Sequence, residues 1–286
     1  MIRQNLHMHS TWDDGKNSIE EMILASHAAG LSSVGVSVHA PLPYGTSWAC
    51  PEERLSAYIA EVNALREKYA GVIDVYLGIE WDAESQVSLE PYDYAIGSVH
   101  HIPVPMKLPE NCPKELAAQF PVDYPTVDES AEATAKLLAG HFGGDADALA
   151  KAYFAQYAKV AAQEKAQIVG HLDLLTKFDE QRGFFNPQSA GYKHAALEAM
   201  ELLVRAGKIF EVNTGAISRG YRSAPYPSRE LLGALCEMGG RVTVCADAHH
   251  VSGVTCAFDL AERIVRECGF KEIWVLEGKK FVPETL

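Results

Sequence analysis

The sequence predicts an α/β protein, a distorted (β/α)7 TIM-like barrel, and three observations carry that expectation. Short β-branched runs alternate with stretches of helical spacing, the pattern of a mainly parallel sheet. Seven or eight such units fit into 286 residues, and a closed or nearly closed barrel is the economical way to bury that many parallel strands. Histidines and acids recur at the C-terminal ends of the strands, where barrels of βα units gather their active sites. An open doubly wound sheet is the alternative.

In chain order, strands are expected over 2–7, 33–39, 72–78, 94–99, 167–171, 208–212, 241–245 and 272–276. The intervening helices are expected over 18–29, 51–69, 130–139, 146–164, 189–206, 228–238 and 253–267. Start signals support several of them: Ser18 precedes Glu20 and Glu21, and Pro227-Ser228 precedes Arg229-Glu230. No linker, low-complexity tract or repeat divides the chain, so one domain over 1–286 is expected. Its one irregular stretch is a Pro-rich loop at about 102–127, where Pro103, Pro105, Pro109, Pro113, Pro121 and Pro125 forbid long regular elements. A loop over the open face of a barrel tends to shape a substrate pocket.

A formal charge of −13 argues against general affinity for nucleic acid or acidic membranes, since the field of the whole molecule repels polyanions. A small phosphate in a local basic pocket stays compatible with it. No apolar run reaches the roughly 18 residues of a membrane helix. The first residues meet histidines before any apolar signal region can form. The six cysteines show no close pair and read as reduced thiols, so a cytoplasmic protein is expected.

Position is what makes the eleven histidines informative. His7 and His9 close the first strand and Asp14 follows; His39 closes the second; Glu80 follows the third. His100 ends the fourth strand, His171 the fifth, and Asp247 and His249 the late strand VTVCADAHH. A single strand-end histidine is more often a hydrogen-bonded core residue, and Asp14 before Gly15 could simply make a turn. Six strand ends that each supply a ligand-type residue are another matter. Imidazole and carboxylate ligate zinc, manganese and iron, and nine such groups suit two or three divalent ions. Of the adjacent pairs His100-His101 and His249-His250, only one member each can be a primary ligand. His27, His141 and His194 fall in helical stretches and read as structural or surface residues.

HMHSTWDDGKNSIEEMILASHAAGL resembles the opening motif of the polymerase-and-histidinol-phosphatase (PHP) superfamily, an H-x-H pair followed by Asp-Gly and an amphipathic helix. SVHAP, LGIEWD, GSVHHI, GHLDL and ADAHH are similar to its remaining motifs, in order. The resemblance implies a distorted seven-stranded βα barrel with a trinuclear metal centre. By position it implies one ion on His7, His9, Glu80 and Asp247, a second on Glu80, His100 and His171, and a third on Asp14, His39 and His249. Within the superfamily, EVNTGAISRGYRSAPYPSRELL resembles the histidinol-phosphate phosphatase branch in its EVNT and YPS segments, while GAISRGYRS departs in detail.

The chemistry expected is hydrolysis of a small phosphomonoester, L-histidinol phosphate by the resemblance. Two metals about 3.5–4 Å apart would share a bridging water and orient its hydroxide for in-line attack. The phosphate dianion needs a grip, which planar arginine gives bidentately. Arg219 is the leading candidate, with Arg222, Arg182 and then Lys177 behind it. The leaving alkoxide needs a proton, and Asp247 and His249 are the candidate donors. Two other readings stand beside this one: a PHP phosphoesterase acting on nucleotides or other small phosphates, and a non-catalytic metal-binding module. The sequence is silent on oligomeric state.

Overall fold

A computed structural model describes residues 2–107 and 122–286. Seven strands form one sheet: β1 (Gln4–Asn5), β2 (Ser33–His39), β3 (Asp74–Asp82), β4 (Tyr94–Ser98), then, after a small hairpin of β5 (Val104–Pro105) and β6 (Val122–Asp123), β7 (Ala166–Val169), β8 (Ile209–Asn213) and β9 (Arg241–Cys245). Their order is β1-β2-β3-β4-β7-β8-β9, and every pair is parallel. A parallel bridge between Met8 and Ala248 brings the first strand against the last, so the sheet nearly closes into the expected barrel. All seven residues of β2 are buried, as a strand covered on both faces requires.

The outer helices are α1 (Ile19–Ala28), α2 (Leu55–Lys68), α3 (Ala131–Phe142), α4 (Ala146–Ala155), α5 (Tyr157–Ala162), α6 (Ala190–Arg205), α7 (Arg229–Glu237) and α8 (Phe258–Glu267). Ser18 starts α1 with a capping box: its hydroxyl accepts the Glu21 N–H, and the Glu21 carboxylate accepts the Ser18 N–H at 2.8 Å. In α8 the buried Phe258, Ala261, Ile264 and Val265 share one stripe, and Glu262 and Arg266 pair on the other side. No helix among the described residues is long and apolar enough to cross a membrane.

Four elements differ from expectation, each for a local reason. The run expected as a barrel strand at 272–276 instead forms β10 (Glu272–Glu277), which turns at Gly278 and pairs antiparallel with β11 (Lys280–Thr285). The barrel has already closed at β9, and β10 docks beneath it, where Gln4 exchanges two hydrogen bonds with the Leu276 backbone. The helix expected over 146–164 breaks at Gln156, and on either side of the break the Tyr153 and Tyr157 hydroxyls reach the carbonyls of Leu172 and Gly170. The last helix starts only at Phe258, because Ala257 sits in the left-handed region at φ +56°. Glu80 falls within β3, which runs past the expected end at residue 78 to Asp82. The centre of the Pro-rich stretch, 108–121, lies outside the described residues; its flanks pair as β5 and β6.

The lower barrel interior is filled by Leu6, Tyr76, Tyr94, Ile96, Ile168, Cys245 and Leu276, with Phe281 of the hairpin against them. The Tyr94 ring fits only because β2 and β3 face it with glycine: a Cβ on Gly35 or Gly78 would come within 2.3 Å of that ring or its hydroxyl. Gly78→Ala is therefore expected to destabilise the fold by about 1–3 kcal/mol through overpacking. Urea unfolding at constant m-value measures it, and an unchanged midpoint would mean that the ring moves aside freely.

Candidate metal centre

The strands deliver their last side chains to one mouth of the barrel. There the buried Glu80 carboxylate touches five imidazoles. Its Oε2 lies 2.8 Å from His39 Nδ1, 3.2 Å from His7 Nε2 and 3.5 Å from His9 Nε2. Its Oε1 lies 3.0 Å from His171 Nε2 and 3.4 Å from His100 Nε2, and accepts a hydrogen bond from Ser98 Oγ. Asp247 Oδ1 stands 3.4 Å from His9 Nε2 and 3.8 Å from His7 Nε2. At the outer rim Asp14 Oδ1 lies 3.2 Å from His249 Nε2 and 3.7 Å from His39 Nε2. All nine expected ligand positions thus meet, although His7 and His249 are far apart along the chain. Their grouping differs from the expected partition: the close groups are His7, His9 and Glu80; His39, Glu80 and His100; and His9, Asp14, His39 and His249, so His9 and His39 are each shared, and His171 and Asp247 join none of the three.

The electrostatics of these groups suit cations. Burial opposes the charge of Glu80 and Asp247, yet His39, His7 and His100 around the first, and Arg219 and His7 around the second, hold both carboxyls well below their usual range. In the same way burial works against protonation of His7, His9 and His100. Glu211, Glu80 and Asp247 nevertheless hold His7 well above its ordinary value, Asp13 lifts His9 to about 10, and Glu80 and Asp82 lift His100 to about 9. The carboxylates demand positive charge, and protonated imidazole is one source of it. His7 Nε2, His9 Nε2, Glu80 Oε2 and Asp14 Oδ1 are buried without a hydrogen-bond partner, although such atoms are normally satisfied. The described residues contain three groups whose ligand atoms lie within 4.8 Å of one another, as one ion requires. The donor set of imidazoles and carboxylates fits zinc, manganese or iron.

Behind the imidazoles stand three buried or nearly buried carboxylates that the sequence reading did not single out. Asp13 Oδ2 lies 2.7 Å from His9 Nδ1 and accepts the His39 N–H. Asp82 Oδ2 lies 3.1 Å from His100 Nδ1 and accepts its N–H as well. Glu211 Oε1 lies 2.6 Å from His7 Nδ1. Such outer partners orient ligating imidazoles. A signal for two of them was present: Glu80 and Asp82, like Glu211 and Asn213, are two apart on a strand and so share a face.

Close backbone approach completes the geometry. Asp247 sits at φ +47°, and a Cβ on Gly215 would lie 2.7 Å from its Oδ2, so the turn after β8 presses directly on that carboxylate. Gly15 is equally constrained, with a would-be Cβ 2.3 Å from Ser10 N. Asp14 ends a turn over 11–14 in which Asp13 N donates to Ser10 O, Gly15 packs against the Ser10 backbone, and Asp14 still reaches the site.

The candidate phosphate-gripping residues separate clearly. Arg219 is at the site: its Nη2 donates to Asp247 Oδ2 at 3.0 Å, and its Nη1 donates to Asp247 O and lies 2.9 Å from His249 Nδ1. Lys177 lines the same cavity, of about 670 Å³, and donates to Asp128 O and Oδ2. Arg222 does not line it, because its guanidinium is spent on Thr176 and lies over the Tyr226 ring. Arg182 pairs with Glu132 on the exposed surface, away from the cavity. A loop position after a strand does not by itself aim a long side chain inward.

A parallel barrel whose strand ends converge on a His-rich centre defines a metal-centred barrel protein. The chain belongs to the PHP domain family, whose profile matches residues 5–215. A protein of Deinococcus radiodurans named probable histidinol-phosphatase is 27% identical over 263 residues, covering 88% of each chain. One of the same name from Schizosaccharomyces pombe is 26% identical over 232 residues, 77% of this chain and 68% of that one. Among solved structures, the histidinol phosphate phosphatase HisK of Lactococcus lactis, in complex with zinc, L-histidinol and phosphate, superposes with a TM-score of 0.69 at 18% identity, over 98% of both chains. A Listeria monocytogenes protein assigned as the histidinol phosphatase HisK gives 0.73 at 18% identity, over 90% of this chain and 99% of that one. At such identities these two structures speak for the fold.

Proposed function

We propose that this protein is a metal-dependent phosphomonoesterase that hydrolyses L-histidinol phosphate to L-histidinol and phosphate. The observation that carries the reading is the contact of one buried carboxylate, Glu80, with five imidazoles at the floor of a cavity whose wall holds Arg219 and Lys177. The relatives' names supply the substrate. His7, His9, Asp14, His39, Glu80, His100, His171, Asp247 and His249 would hold two or three divalent ions. Bound there, such ions supply Lewis acidity and lower the pKa of water toward neutrality.

The chain's own residues account for the rest. Phosphoryl transfer depends on positioning and charge neutralisation more than on covalent help, and no serine or cysteine triad is required. Arg219 offers a planar fork to the phosphate oxygens, and Lys177 a second positive charge on the same wall. Asp247 and His249 are the proposed proton-handling pair for the leaving alkoxide, acting through a water that they orient, and Arg219 Nη1 lies against both.

Phosphate release from L-histidinol phosphate, measured beside a panel of nucleoside monophosphates with zinc or manganese added, tests the reading. Histidinol phosphate is expected to have the highest kcat/KM. Faster turnover of nucleotides would transfer the assignment to them. No hydrolysis of any ester at full metal loading would make the protein a non-catalytic metal-binding module.

A further inference from the structure

Of the three carboxylates behind the imidazoles, Glu211 touches the most strands. It is fully buried, on β8. Its Oε1 receives His7, at the end of β1. Its Oε2 accepts the backbone N–H of His171, just after β7, at 2.9 Å, and the Asn213 amide at 2.9 Å. The same Asn213 amide nitrogen lies 3.3 Å from Asp247 Oδ2, beyond β9. Burial opposes the charge on Glu211, but His7 and its hydrogen bond keep the carboxyl below the usual range.

An ionised carboxylate only accepts hydrogen bonds. The groups facing Glu211, the Cys245 thiol among them, must therefore donate, and for His7 that places a proton on Nδ1. Nε2, the nitrogen left for an ion, then faces Glu80 and Asp247. We propose that Glu211 is a positioning residue that sets the Nδ1–H tautomer of His7 and, through Asn213, the placement of the Asp247 carboxylate. The inference rests on His7 being a metal ligand, as proposed above.

Glu211→Gln has nearly the same shape and the wrong donors. With its carbonyl toward His171 and Asn213, its NH2 group faces His7 Nδ1 and moves the proton to Nε2. Turned around, it sets NH2 against two N–H donors. The first arrangement costs less, because a neutral imidazole changes tautomer easily while a buried donor facing a donor stays unsatisfied. In it His7 Nε2 can no longer ligate.

The test is 15N NMR of histidine-labelled protein, with the His7 signals identified by their loss in His7→Gln, together with zinc affinity by chelator competition. In the wild type His7 Nδ1 is expected to be protonated with and without zinc, with a second proton on Nε2 only in the metal-free protein. In Glu211→Gln the proton is expected on Nε2 in the metal-free protein, with zinc affinity weakened roughly 10- to 100-fold, the usual effect of losing an outer-shell partner. Glu211→Asp, which keeps an acceptor-only group, is expected to recover part of that loss. An unprotonated Nδ1 in the wild type overturns the inference without recourse to any variant, even if Glu211→Gln does not fold. Wild-type zinc affinity in folded Glu211→Gln overturns it as well. A wild type that binds no zinc defeats instead the metal reading of the site, since protonation of His7 Nδ1 is read without metal as well.

Discussion

Glu80→Gln is expected to lose bound metal and to lower kcat/KM more than about 10³-fold, beyond what removal of one preorganised electrostatic group costs. The substitution leaves volume unchanged and removes a charge. Five imidazoles surround this side chain, and its two oxygens face different subsets of them: His7, His9 and His39 on one side, His100 and His171 on the other. A carboxamide presents one oxygen and one N–H group, so whichever way it turns, one subset meets a donor where it had an acceptor. Metal content by elemental analysis and phosphate release are measured on the same preparation. Circular dichroism checks that the barrel persists, as expected from an apolar interior formed mostly below the site. Wild-type metal content in a folded Glu80→Gln protein would show that this carboxylate does not bridge the groups.

Arg219→Ala comes second in expected size, with kcat/KM falling about 10²- to 10³-fold while metal content stays near that of the wild type. Arg219 is the arginine that the fold aims at the mouth, held by the Asp247 carboxylate and backbone oxygen. Arg219→Lys retains the charge but not the bidentate fork, so partial recovery is expected. Unchanged kinetics in Arg219→Ala would leave Lys177 as the group that grips phosphate.

How much of this could be read from residues alone follows from which interactions are local. Strand ends are local, marked by β-branched runs and their boundaries, and barrel topology turns strand ends into neighbours. The sequence alone therefore places His7, Glu80, His171 and Asp247 together. It does not place what depends on side-chain direction. Arg182 and Arg222 occupy the same kind of loop position as Arg219, yet one pairs with Glu132 and the other with Thr176. Those partners come from distant segments that leave no periodicity in the sequence. Asp13 does not stand out beside Asp14 because two adjacent acids look alike, and only the turn over 11–14 puts the one behind His9 and the other at the rim. The run 272–276 reads as an eighth barrel strand because a buried apolar run looks the same whether it extends a sheet or caps it.

The meeting of Met8 with Ala248 bears on how the protein comes into being. His7 and Asp247 are 240 positions apart, so on the ribosome the first imidazoles emerge long before the carboxylate that completes their cup. A nascent chain that has released only the portion matched by the family profile, up to residue 215, still lacks Asp247 and His249. Two of the three close groups, His7 with His9 and Glu80 and His39 with Glu80 and His100, are present once residue 100 is made, whereas the group at the rim waits for His249.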